Sequence, residues 1–99
     1  MVKSVLIVDD DPTQRRLLQA VIEKQGYRVE TAESGDAALD RVASSSVDVM
    51  LLDLIMPGMD GMETLEAVKK RLPDLPVIVL TASGGIETVV AAMRAGAVD

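Results

Sequence analysis

Nowhere in its 99 residues does the chain carry a cysteine or a histidine. Without cysteine there is no disulfide framework and no thiolate metal site; without histidine the commonest transition-metal ligand and general base is missing as well. Any metal must then be held by oxygen, which favours a hard cation such as Mg²⁺. Positive charge is also scarce, with 10 Lys and Arg against 16 Asp and Glu and a formal net charge of -6. Nucleic acid and anionic membrane surfaces both require clustered Lys and Arg. The one short basic cluster, Lys69, Lys70 and Arg71, reads as a solvated last helical turn favoured by the helix dipole. No direct binding to nucleic acid or to a membrane is expected. Long apolar runs are missing too: none approaches the roughly 20 residues of a membrane span, and the opening MVKSVLIVDD runs into acid without a small-residue cleavage site. The expectation is a soluble, cytoplasmic protein.

What is present fits one domain, residues 1–99, since 48% hydrophobic content at this length supports a single small core. Short apolar runs alternate with longer segments of helical period. The runs are Val5 to Val8, Tyr27 to Ala32, Val47 to Leu52 and Pro76 to Leu80. This βα repeat predicts a parallel sheet with helices on both faces. Asp11 is placed to cap a first helix, with Pro12 at its first position and Gln14 three residues after the cap. Leu17, Leu18, Val21 and Ile22 form its apolar face, and Gly26 ends it. A second helix over Asp36 to Ser44 buries Ala38, Leu39 and Val42; a third repeats the capping device with Asp60 before Glu63, turns Leu65 and Val68 inward and stops before Pro73. A fourth runs over Ile86 to Ala95, with Gly96 after it.

The first, third and fourth strands are nearly all apolar, whereas YRVETA alternates and suits an edge. With right-handed crossovers, a doubly wound sheet in the order 2-1-3-4 is the simplest solution, and its switch point lies between the first and third strands. Ligands bind such sheets at that crevice, outside the carboxyl ends of the strands. Asp9 and Asp10 follow the first strand, Asp53 ends the third and Thr81 follows the fourth, so one rim collects all four. Three converging carboxylates repel one another unless a cation arrives. Mg²⁺ suits the demand, because it takes one or two carboxylates together with phosphate oxygens. A metal beside a carboxylate and a hydroxyl points to phosphoryl chemistry. Asp53 is the natural acceptor, as an aspartyl phosphate, with the Thr81 hydroxyl and the backbone N–H of Ala82 reading the new phosphate oxygens.

The motifs LIVDDDP, LLDLIMPGMDG, PVIVLTA and the late AGAVD resemble the receiver domain of two-component response regulators, in order over the whole chain. The resemblance implies a flavodoxin-like α/β fold, Mg²⁺, and a phosphoryl donor that is a sensor histidine kinase or a small acyl phosphate. It places Asp9 and Asp10 on the family's acidic pair, Asp10 as the direct metal ligand, and Asp53 on the phosphoacceptor. Ile55 falls where a backbone carbonyl ligates the metal and Thr81 on the switch hydroxyl. Phosphorylation would then move the loop after the fourth strand, where Gly84 and Gly85 give backbone freedom. The implied role is a regulatory switch, not an enzyme, that acts on an output domain or partner absent from these residues.

The chain departs from that pattern at its end. It stops at Asp99, where the resemblance calls for a fifth strand carrying an aromatic residue and a Lys followed by Pro, and for a fifth helix. The domain is thus expected to be incomplete at its C-terminus. The fourth strand would then form an open apolar edge through which a homodimer or exchanged assembly forms. Two other readings compete. A receiver-like module that works by docking alone needs no phosphorylation, and a metal-dependent phosphohydrolase needs a general acid two residues after a nucleophilic Asp. Asp11 supplies that acid only by giving up its cap. Asp48, Asp60 and Asp74 read as surface or capping residues, and Met56, Met59 and Met62 as flexible packing around a loop.

Overall fold

The structure, a computed structural model, describes residues 3–53 and 61–80. Within them lie β1 (Ser4–Val8), α1 (Pro12–Lys24), β2 (Arg28–Ala32), α2 (Gly35–Ser44), β3 (Val49–Asp53), α3 (Gly61–Arg71) and β4 (Val77–Leu80). All strand pairs are parallel and the sheet runs β2-β1-β3-β4, the order expected from the apolar runs.

Alternation along the strands sorts the core into two layers. Val5 and Ile7 of β1 and Val49 and Leu51 of β3 pack with Leu18 and Ile22 of α1. Leu6, Val8, Met50 and Leu52 point the other way, onto Ala38 of α2, Val68 of α3 and Leu75. Every residue of β1 is buried, because helices cover both of its faces. The edge strand β2 has Arg28 exposed, and its Glu30 lies 3.8 Å from Arg41 of α2.

Leu17 departs from the expected apolar face of α1, being 52% exposed. A helix advances about 100° per residue, which puts Leu17 roughly 120° from the midpoint of Leu18 and Ile22. One helix lying on a flat sheet buries only a narrow stripe. Elsewhere α1 behaves as read: Asp11 accepts from the N–H groups of Thr13 and Gln14, at 2.9 and 3.5 Å, and Pro12 opens the helix. Gly26 follows it at φ 95°, in the left-handed region that glycine enters without steric cost.

Several expectations fall outside the described residues: the Asp60 cap, the Met56–Met59 loop, Gly84 and Gly85, the helix from Ile86 to Ala95, Gly96 and the missing fifth strand. Association through the edge of β4 depends on what lies beyond Leu80 and falls outside them also. No helix among the described residues is long and apolar enough to cross a membrane.

Candidate functional site: an acidic rim

Strand register builds the site. Val8 pairs with Leu52, so Asp9 and Asp53 come next to each other on neighbouring strands, which run about 4.8 Å apart. Both continue the residue rows that face α1, Val5-Ile7 and Val49-Leu51, one step beyond the apolar core. Asp10 follows on the turn into α1. One carboxylate oxygen from each of Asp9, Asp10 and Asp53 lies within 4.8 Å of the others.

The three differ in their surroundings. Asp9 is completely buried, Asp53 half-buried and Asp10 exposed. Asp9 Oδ1 accepts the Asp11 N–H at 2.9 Å, while Oδ2 is buried and has no hydrogen-bond partner among the described residues. Burial pushes the Asp9 carboxyl above the usual carboxylate range; the Asp11 N–H opposes this, and the charges of Asp53, Asp10 and Asp11 add to it. A buried carboxylate oxygen with no donor is costly as an anion. Two more carboxylates beside it make a donor set of hard oxygens with excess negative charge, which is what a hard divalent cation satisfies. The residues therefore fit Mg²⁺.

The backbone under this cluster is tethered on both sides. Asp9 N–H donates to the Ala32 carbonyl at 3.1 Å, and the Asp9 carbonyl accepts from Arg15 Nη1 at 2.8 Å. Arg15 was not legible as part of the site. The only signal was its place on the first turns of α1, four residues after the cap, and nothing there distinguishes it from the exposed Arg16. Asp11, read as a cap, is one. Asp48, read as a surface residue, does more: Oδ2 accepts the Ser4 N–H at 2.7 Å, and its own N–H donates to the Ser4 carbonyl at 2.8 Å. It thereby fastens the start of β1. Of the remaining expected site residues, Ile55, Thr81 and Ala82 lie outside the described residues. Leu80, the last described residue of β4, pairs with Asp53.

Comparison with known proteins agrees with this geometry. The family described as response regulator receiver domain matches residues 5–99. Transcriptional regulatory protein ZraR of Klebsiella oxytoca is 41% identical over 95 residues, covering 96% of this chain and 21% of that protein. Nitrogen assimilation regulatory protein NtrX of Azorhizobium caulinodans is 38% identical over 101 residues, covering 100% of this chain and 22% of the relative. The chain thus spans about a fifth of the length of these relatives. Response regulator protein TrrA of Thermotoga maritima, solved in complex with Mg²⁺ and BeF, superimposes with TM-score 0.80 at 35% identity, over 93% of this chain and 80% of that one. Chemotaxis protein CheY4 of Vibrio cholerae gives TM-score 0.87 at 24% identity, over 96% and 98% of the two chains, a likeness of fold.

Proposed function

Because the chain belongs to the response regulator receiver domain family, a family of regulatory domains rather than classical enzymes, we propose that Asp53 is the phosphoacceptor of a signalling switch. The observation that carries this reading is the convergence of Asp9, Asp10 and Asp53 within 4.8 Å, with one buried oxygen of Asp9 left without a donor among the described residues. Asp9 and Asp10 would hold the cation, Asp10 as a direct ligand, and Asp53 and the Ile55 carbonyl would complete the protein's share. Bound Mg²⁺ would supply neutralising charge for the oxygens of the phosphoryl group.

An oxygen of Asp53 forms a bond to phosphorus while the P–N bond of a kinase phosphohistidine, or the P–O bond of a small acyl phosphate, breaks. The imidazole or carboxylate leaves with the electron pair, the imidazole taking its proton from solvent, and Asp53 becomes an acyl phosphate. Thr81 then donates its hydroxyl proton, and Ala82 its N–H, to the new phosphoryl oxygens. Engagement of Thr81 and Ala82 by the phosphoryl group would be the switching event. It controls an output domain or partner outside these residues; the relatives named as transcriptional regulators support transcription control as that output.

The capping role of Asp11 counts against a phosphohydrolase. Its carboxylate is engaged by two helix N–H groups and is not available as a general acid. The direct test is intact mass after incubation with Mg²⁺ and acetyl phosphate. One phosphoryl adduct is expected on the parent and none on Asp53→Asn. A folded parent without adduct would replace the switch by a docking module, and turnover of a phosphomonoester would restore the hydrolase.

A further inference from the structure

The peptide unit joining Asp9 to Asp10 carries both members of the acidic pair, and Arg15 holds it. Its Nη1 donates to the Asp9 carbonyl at 2.8 Å from the second turn of α1. The Arg15 side chain is half-buried beside the end of β2, where the Asp9 N–H is tied to Ala32. A peptide unit is planar, so fixing its oxygen fixes the direction in which the chain leaves toward Asp10. Asp10 itself is exposed and no hydrogen bond of its side chain is found among the described residues, so its aim depends on that backbone. We infer that Arg15 is a positioning residue for the cation site: its guanidinium orients the Asp9–Asp10 peptide and so brings the Asp10 carboxylate to the metal. The inference rests on the Mg²⁺ reading of the preceding subsection.

Charge and position give opposite signs here, which makes the idea easy to refute. Arg15 is a cation close to a site for cations. If its charge were all that mattered, removing it would tighten Mg²⁺ binding. If it positions Asp10, removing it weakens binding, on the order of tenfold as for other residues that orient metal ligands. The experiment is calorimetric titration of Mg²⁺ into parent, Arg15→Met and the control Arg16→Met, which removes an equal charge from the exposed neighbour on α1. Amide hydrogen exchange at Asp9 to Asp11 is followed in parallel without metal. Expected are weaker binding and faster exchange in Arg15→Met, with Arg16→Met unchanged or slightly tighter. Equal or tighter binding in Arg15→Met overturns the inference, as does a loss of the same size in Arg16→Met. Should Arg15→Met fail to fold, Arg15→Gln, polar but too short to reach the carbonyl, carries the same expectations. A parent that takes up no Mg²⁺ refutes the metal reading itself, and the inference with it.

Discussion

Replacing Asp53 by Asn removes one negative charge from the rim while keeping the shape of the side chain, so in the absence of metal it is expected to stabilise the fold. The size of the effect follows from the geometry. Two unit charges at the 4.8 Å limit of the cluster repel by about 0.9 kcal/mol in a water-like dielectric and by about 3.5 kcal/mol at an effective dielectric of 20. Asp53 is half-buried and Asp10 exposed, so solvent screens the cluster and the lower part of that range applies. A net gain of roughly 1 to 2 kcal/mol remains, and for a domain of this size each kcal/mol moves the melting temperature by about 4 to 8 °C. Thermal melts followed by circular dichroism, in EDTA at pH 7, should therefore show Asp53→Asn melting at least about 4 °C above the parent. Adding Mg²⁺ should reverse the order, since the parent gains binding energy on folding that the variant largely forgoes. A metal-free variant no more stable than the parent would refute the account of the rim as crowded charge awaiting a cation.

Three further outcomes are expected. The raised Asp9 carboxyl binds its proton more tightly in the folded than in the unfolded protein, so its contribution to metal-free stability is present below the ordinary value of about 3.9 and is lost as pH rises through the raised one. Urea unfolding should show the parent gaining on Asp9→Asn as pH falls through that window, while the stabilisation by Mg²⁺ shrinks, because proton and metal compete for one carboxylate. Asp11→Ala should cost about 1 kcal/mol through the lost cap yet leave Mg²⁺ affinity nearly unchanged, since the Asp11 N–H that holds Asp9 is retained; a large loss of affinity would make Asp11 a ligand. Gly26→Ala should cost on the order of 1 kcal/mol by backbone strain alone, as a Cβ there meets nothing within 4 Å and φ is +95°; an unchanged urea midpoint would contradict this.

The parts of the structure visible in advance were those that local rules write into adjacent residues. An apolar run between turn residues marks a strand, Asp11-Pro12 marks a helix start and Gly26 its end. With the strand order, strand-end position alone brings Asp9, Asp10 and Asp53 to one rim. The parts that were not visible depend on three-dimensional reach. Leu17 looks apolar enough to be buried, and only the flat contact between one helix and a sheet decides that it is not. Asp48 clamps Ser4 across 44 positions of sequence, a pairing set by how β1 and β3 lie side by side. Arg15 acts on a backbone carbonyl, and any residue can offer one, so the sequence carries no mark of the acceptor. Lys69 is similar: it lies in the basic last turn of α3, and its ammonium donates to the Leu75 carbonyl, a bond made possible by the turn through Pro73.

A calorimetric titration of Mg²⁺ into the folded, metal-free protein reaches the centre of the account. Three acids, two directly after β1 and one at the end of β3, should give one saturable site that is abolished in Asp9→Asn/Asp10→Asn. No saturable heat from the folded parent, or the same isotherm from the double variant, would show that these carboxylates were gathered for something other than a divalent ion.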